Sequence, residues 1–490
     1  MIARPPFAWR PVTLIAGLVT VLLLATSNGY GYHRDEMYFR ILGHHPQWGY
    51  VDQPPFTPLL NRLSILVFGD SLWAIRVPFA LMIGVFAVLL ALLAREVGGG
   101  RTAQALAAAG STGTFALVGG HVETTATADL LVWVGVLIFI ARALLHDRPR
   151  AWIAAGVVTG VGFYNKNLVI LLLISLVTGF LIVGPRRPLL SPWPWLGAGL
   201  AVLIGLPNFL YQILNDFPQA HMASAIADTK GPDDRVQLVP FQLILLGLAF
   251  VPVWVAGIVT LLRNRELRPI RAFAVAYPIL LVLVFASAGQ PYYTFGLVAG
   301  LFAVGAVATE RWLGGRRARR ALIIAAVVVN VAVSAVFSLP LLPADRAGFI
   351  ADANSTVADQ IGWPDYVRQV KGVYDRLSPD DQRKAVLFTG NYGEAGALDR
   401  YGKPLGLPAV YSGHNELWNY GPPPNDKTVA IVVSEAEPAQ VRARFGTCEA
   451  GPRLRNSAGI ENEESDASVY VCRQLPGTWQ DLWPELHHYD

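Results

Sequence analysis

The sequence predicts a polytopic α-helical membrane protein that carries a water-soluble α/β domain at its C-terminal end. Composition, charge distribution and the spacing of apolar runs each point there. Of 490 residues, 53% are hydrophobic and only 15% are charged, with a mean hydropathy of +0.40. A soluble globular chain carries about 25% charged residues. The net charge of +4 is unevenly spread. Residues 345–490 hold 14 Lys and Arg against 21 Asp and Glu, whereas residues 1–344 hold 25 against 14. The basic portion is the apolar one, so its charge reads as membrane topology and not as nucleic-acid binding.

A span requires about 20 apolar residues. In chain order, apolar stretches lie at 12–29, 73–94, 102–119, 128–145, 151–164, 168–184, 193–213, 241–262, 271–288, 292–309 and 321–341, which gives eleven. The first follows Arg4 and Arg10 and imitates a secretory signal. It has no convincing small-residue cleavage site, and many spans follow it, so it reads as an uncleaved first helix. The fifth stretch is short and 271–309 is nearly continuous, so ten or twelve spans are the alternatives. With the N-terminus inside, the inner segments 1–11, 95–101, 142–150, 184–192, 263–271 and 311–320 hold 18 Lys and Arg in 55 residues. The outer segments 30–72, 120–127, 164–167, 214–240 and 288–293 hold 6 in 88. Cytoplasmic segments are the basic ones, so this register places loop 30–72 and, with eleven spans, the C-terminal domain outside.

Residues 1–344 are therefore expected to form the membrane domain, with 30–72 as its first outer loop, and 345–490 a separate domain. In the latter, strand-length runs at Ala385–Thr389, Thr428–Ser434 and Ser468–Val471 alternate with helical segments at Thr356–Leu377, Glu394–Tyr401 and Pro438–Phe445. That alternation predicts an α/β layer. The only two cysteines, Cys448 and Cys472, fall in it. Outside the cytoplasm they either pair as a disulfide or stay as two buried thiols.

The chemistry concentrates in the first outer loop. Tyr30-Gly-Tyr-His-Arg-Asp-Glu-Met-Tyr-Phe39 directly follows the first span. It places the adjacent acids Asp35 and Glu36 at a membrane edge, beside His33 and Arg34. Acids there need partners or a task. Trp48-Gly-Tyr-Val-Asp-Gln-Pro-Pro55 adds Asp52 and Gln53 in a rigid aromatic turn. The loop's aromatics suit one or two short helices lying on the membrane surface. Adjacent residues cannot share one helix face, so the two acids have separate roles. One meets a substrate and the other binds a metal or holds the loop, unless both serve only as a cap or an ion pair with Arg34 or Arg40.

Gly31–Phe39 followed by Leu42-Gly-His-His-Pro-Gln-Trp-Gly-Tyr-Val-Asp-Gln-Pro-Pro-Phe-Thr-Pro58 resembles the first outer loop of the protein O-mannosyltransferases. More broadly it resembles the C-type glycosyltransferases, including the lipid A aminoarabinose transferases. The resemblance implies a C-type glycosyltransferase fold and inverting transfer of a sugar from a polyprenyl-phosphate donor to an extracytoplasmic acceptor: a protein, a glycolipid or a wall glycan. It implies Asp35 as the base that takes the acceptor proton, with Glu36 and Asp129 at the same site. Lys166, in the short outer turn Tyr164–Asn167, resembles a lysine of the aminoarabinose transferases. It is expected on the lipid phosphate, with Arg34 and His33 as further candidates; the alternative is snorkelling to a headgroup. Tyr292 and Tyr293 either line the donor pocket or belong to an aromatic belt.

Asp129 opens the fourth span, where an acid also serves as a helix cap. His121 and Glu123, with Glu36, are candidate ligands for a divalent metal, which no spacing demands. In the C-terminal domain, Asn391–Gly402 and Ser412–Pro423 follow strand-like runs, where α/β sheets place their sites. Glu394, His414 and Asn415 are thus candidates for acceptor binding, or parts of loops that cap the sheet. The competing class is a transporter or flippase, which tends to show repeats, broken helices and charges at mid-membrane. A glycan-sensing assembly protein would not need the Asp35-Glu36 loop. The alanine-, glycine- and arginine-rich composition points to a bacterial plasma membrane.

Overall fold

The structure is a computed structural model and describes residues 2–489. Two compact units make up the chain. The first comprises Met1–Ser27, Gln53–Thr57 and Arg76–Leu339; the second comprises Asn28–Asp52, Pro58–Ile75 and Pro340–Asp490.

The first unit is all helix, and every one of the eleven apolar stretches is helical within it or at its boundary. Among the described residues, six helices are long and apolar enough to cross a membrane: Trp9–Thr26, Leu72–Glu96, Thr125–Leu145, Pro192–Leu214, Pro291–Leu313 and Arg317–Ser338. The bent pair Gly231–Ile244 and Leu248–Arg263, at 70° to each other, makes a seventh if it is one span. Ala151–Gly162, Val169–Val183 and Ala272–Ala286 are apolar but shorter. This is a multi-pass membrane protein.

Two stretches that the hydropathy pattern draws as single helices are broken. The 102–119 stretch divides into Arg101–Ala109 and Thr114–His121 around a 3-10 turn. The 241–262 stretch divides at Leu245–Gly247. Backbone groups freed in apolar surroundings must find partners, and here the two breaks supply each other. Phe115 N donates to Leu245 O at 3.1 Å, and Asn330 Nδ2 donates to Leu246 O at 2.7 Å. Outer segment 214–240 is likewise no open loop but the helices Pro218–Thr229 and Gly231–Ile244.

The second unit is built on a five-stranded mixed sheet: β1 Ala385–Thr389, β2 Val410–Ser412, β3 Val429–Ser434, β4 Thr447–Arg453 and β5 Ser468–Arg473, in the order β2-β1-β3-β5-β4. β1 is parallel to β2 and β3, while β5 is antiparallel to β3 and β4. β1, β3 and β5 fall on the three expected strands. β2 and β4 are short or exposed and lack a buried apolar run, so the pattern hides them. Helix Pro438–Phe445 matches its expected bounds, and Thr356–Leu377 resolves into Ser355–Ala358 and Trp363–Asp375. Cys448 and Cys472 face each other across β4 and β5 and are disulfide-bonded. Loop 30–72 contributes the helices Arg34–His44 and Phe56–Phe68.

Candidate active site

The turn that launches helix Arg34–His44 is set by backbone constraints. Gly31 has φ 135°, and a Cβ there would lie 2.7 Å from the Gln360 carbonyl oxygen, so only glycine fits. The helix then starts with a capping box. His33 Nδ1 accepts from Asp35 N at 3.2 Å, and Glu36 Oε2 accepts from His33 N at 2.8 Å. Glu36 is fully buried, whereas the Asp35 side chain is one-third exposed at 33%. The two adjacent acids thus have different environments: Glu36 builds the helix start and Asp35 faces outward. The helix N-terminus favours negative charge on Asp35.

Asp35 is also oriented. The Tyr392 hydroxyl donates to Asp35 Oδ1 at 2.8 Å, and His33 Nδ1 lies 3.8 Å from Oδ2. Burial pushes the Tyr392 phenol well above its ordinary value, so it remains a proton donor. Its ring is sandwiched by aromatic neighbours, Tyr38 at 4.8 Å and His414 at 5.1 Å, with the Arg34 guanidinium 4.6 Å from its centroid. Arg34 is buried and ion-paired with Glu463, which gives this expected phosphate ligand an internal task.

A second acid stands nearby in the same unit. Burial above all, with Glu416 and Asp35 adding repulsion, pushes the Asp52 carboxyl up to about 8. Glu416 fixes the Trp48–Asp52 turn: Val51 N donates to Oε2 at 3.0 Å and Gln47 Nε2 to Oε1 at 2.9 Å. Burial raises Glu416 as well. Gln53 is buried in the other unit.

Sequence reasoning misses Tyr392 and Glu416. Both lie in the two C-terminal segments it singles out, but beside the residues it names there. Those residues are internal. Glu394 closes a capping box, accepting from Gly390 N and Asn391 N at 3.0 and 3.2 Å. His414 Nδ1 accepts from Tyr392 N at 3.1 Å, and Asn415 adopts φ 50° and donates its N–H to His488 O. All three are at most 4% exposed.

In the first unit, a separate group forms around Asp129. The cap of helix Thr125–Leu145 is Thr124, not Asp129. Asp129 lies one turn further in, buried, with Oδ1 unpartnered. It lines a small cavity with Phe115, Trp133, Tyr292 and Tyr293. Lys166 joins them: Nζ donates to the Tyr292 hydroxyl at 3.4 Å, lies 4.9 Å from the Tyr293 ring centroid and bears electrostatically on Asp129. The two tyrosines are therefore part of this cluster and not only of an aromatic belt.

Two of the three candidate metal ligands, His121 and Glu36, have other partners. His121 Nε2 is 3.2 Å from the Arg76 guanidinium. Glu36 is committed to its capping box. Among the described residues no group of three or more His, Cys, Asp or Glu is arranged to hold a metal ion.

The family model described as dolichyl-phosphate-mannose-protein mannosyltransferase matches residues 52–211. No curated protein matches the chain. Among solved structures, ArnT from Cupriavidus metallidurans bound to undecaprenyl phosphate is similar with a TM-score of 0.58 at 16% identity, covering 94% of this chain and 97% of that one. Its apo state gives the same values. The Archaeoglobus fulgidus oligosaccharyltransferase tethered with an acceptor peptide is more distant, with a TM-score of 0.46 at 16% identity over 80% of this chain and 62% of that one. The chain has the C-type glycosyltransferase fold.

Proposed function

We propose that this protein is an inverting glycosyltransferase that moves a monosaccharide from a polyprenyl-phosphate donor to an acceptor hydroxyl outside the plasma membrane of a bacterium. The observation that carries the reading is Asp35, a one-third-exposed carboxylate at a helix N-terminus, aimed by the Tyr392 hydroxyl at 2.8 Å. A base must reach the proton it takes, and Asp35 is the acid of the Asp-Glu pair that is open to do so. The ArnT-like fold and the match to the mannosyltransferase model support the same chemistry.

In the reaction the acceptor oxygen forms a bond to the anomeric carbon as its proton passes to Asp35. The carbon–oxygen bond to phosphate breaks on the opposite face, and its electron pair stays on the polyprenyl phosphate. Lipid phosphate leaves without strong acid assistance, but its growing charge needs a cation or donors. The resemblance assigns that part to Lys166, which has the Tyr292 hydroxyl beside it. Asp129 is its counter-charge.

The test is to incubate the purified protein with a panel of polyprenyl-phosphate monosaccharides and envelope acceptors, following release of the polyprenyl phosphate and the anomeric configuration of the product. One donor should be consumed with inversion. Failure of every donor, or retention of configuration, overturns the reading.

A further inference from the structure

The second unit contains a cavity of about 330 Å³ that the site above does not use, and its size lies in the ligand-pocket range. Its place in the sheet is informative. β1 and β3 are adjacent and parallel. The helix after β1, Tyr392–Ala397, packs Ala397 against Leu387, Ile431 and Val433 on one face. The helix after β3, Pro438–Phe445, packs Val441 and Phe445 against Val386, Phe388 and Val432 on the other. The two connections leave neighbouring strands in opposite directions, which opens a crevice at their carboxyl ends, where α/β sheets bind ligands. Gly390 and Ser434, at those ends, line the cavity.

The lining indicates the ligand. Phe388 and Phe445, with ring centroids 5.0 Å apart, give an apolar wall. Around it stand Gln440 and Arg444 from one helix face, and Glu485 and His487 from the end of helix Trp479–Leu486. The side chains of Gln440, Arg444 and Glu485 make no hydrogen bond or ion pair among the described residues, although Arg444 and Glu485 face the same space. A phosphate would meet Glu485, and an apolar ligand would displace water from three exposed polar side chains without replacing its hydrogen bonds. A pyranose or furanose replaces them with neighbouring hydroxyls that both donate and accept, and offers a C–H face for the rings.

We propose that this cavity binds a neutral, hydroxyl-rich saccharide, so that the acceptor is a glycan and not a polypeptide hydroxyl. The binding site rests on the sheet and the lining. The word acceptor rests on the glycosyl-transfer reading above.

The test titrates the full-length protein in lipid nanodiscs with neutral di- to tetrasaccharides of hexopyranose and pentofuranose units, read by saturation-transfer NMR. Release of polyprenyl phosphate is measured in parallel. One saccharide class should bind, and Arg444→Ala and Glu485→Gln should each weaken it about tenfold, the loss of one charge-assisted hydrogen bond. Both side chains are exposed, so both variants should fold as the wild type does, and release of polyprenyl phosphate should fall with saccharide affinity and recover at saturating saccharide. The proposal is overturned if no saccharide binds, if the variants bind like wild type, or if a Ser/Thr peptide or inorganic phosphate is the ligand the variants lose. Saccharide binding without any donor cleavage would sink the transferase reading and leave the sugar site standing. Donor cleavage without saccharide binding would do the reverse.

Discussion

At the scale of single residues, Asp35 and Glu36 differ by one position and by almost everything else. A helix rotates successive side chains apart, and here that rotation buries Glu36 inside a capping box while leaving Asp35 open. If Asp35 takes the acceptor proton, Asp35→Asn should lower turnover by about 10²–10⁴-fold with donor affinity and melting temperature unchanged. Normal turnover in that variant removes the base assignment. Tyr392 does not touch the reacting atoms in this scheme; it positions Asp35. Tyr392→Phe deletes one donor and almost no volume, so kcat should fall about tenfold while the donor KM stays put. A merely structural tyrosine would move both parameters together or neither. Neither role was legible in the same way. The Asp-Glu pair stands out because acids at a membrane edge are conspicuous. Tyr392 is one aromatic among many, and its partner is 357 positions away.

At the scale of elements, the segment Asn391-Tyr-Gly-Glu-Ala-Gly is explained by packing. Helix Tyr392–Ala397 lies so close to helix Arg34–His44 that a Cβ on Gly396 would come within 2.7 Å of the Met37 Cβ. Gly396→Ala should therefore lower stability by about 1–3 kcal/mol, read as a lower melting temperature, and reduce activity by displacing the Asp35 helix. An unchanged melting temperature would mean the two helices are not in register as seen. Behind this contact, burial and their mutual repulsion hold the Glu394 carboxyl well above the ordinary range, and burial raises Glu464 to about 7. Such groups are protonated in the folded chain at a pH where the unfolded chain has already lost the proton. Folding then binds protons, and stability falls as pH rises from about 4, the unfolded value, to the folded value near 7. Melting followed by tryptophan fluorescence should show this decline, and Glu464→Gln should flatten it. A wild type whose melting temperature rises across that window would contradict the burial of the pair. Periodicity located the strands, the capped helices and the apolar stretches here. It could not show the helix breaks at Gly110–Gly113 and Leu245–Gly247, because those depend on carbonyl partners far away in sequence. Nor could it show that Glu394 Oε2 and His414 Nδ1 accept backbone N–H groups.

At the scale of the molecule, the charge asymmetry makes a geometric demand on the first unit: segments assigned to one side must meet one another. The inner ones do. Buried Glu96 pairs with Arg4 at 2.5 Å, Arg142 at 2.7 Å and His146 at 3.3 Å, joining 1–11, 95–101 and 142–150. Glu310, next to 311–320, accepts from Gly100 N and Thr102 N. Four of the five outer ones meet as well. Asn165 Nδ2 donates to Thr125 O, Asn167 Nδ2 to Gln219 Oε1 and Lys166 Nζ to the Tyr292 hydroxyl, joining 120–127, 164–167, 214–240 and 288–293. The hydrogen bonds and ion pairs thus group the segments they join as the Lys and Arg counts do, and by the positive-inside rule we propose the basic group as the cytoplasmic one. The cysteine content makes this testable without background, since both native cysteines are spent in the Cys448–Cys472 disulfide. Ser457 and Ala318 are exposed positions in the C-terminal domain and in the 311–320 segment. A membrane-impermeant maleimide on intact cells should label Ser457→Cys and leave Ala318→Cys unlabelled until the membrane is opened. The opposite pattern would put Asp35 in the cytoplasm, with a donor facing the wrong leaflet, and an extracytoplasmic transferase would have to be abandoned.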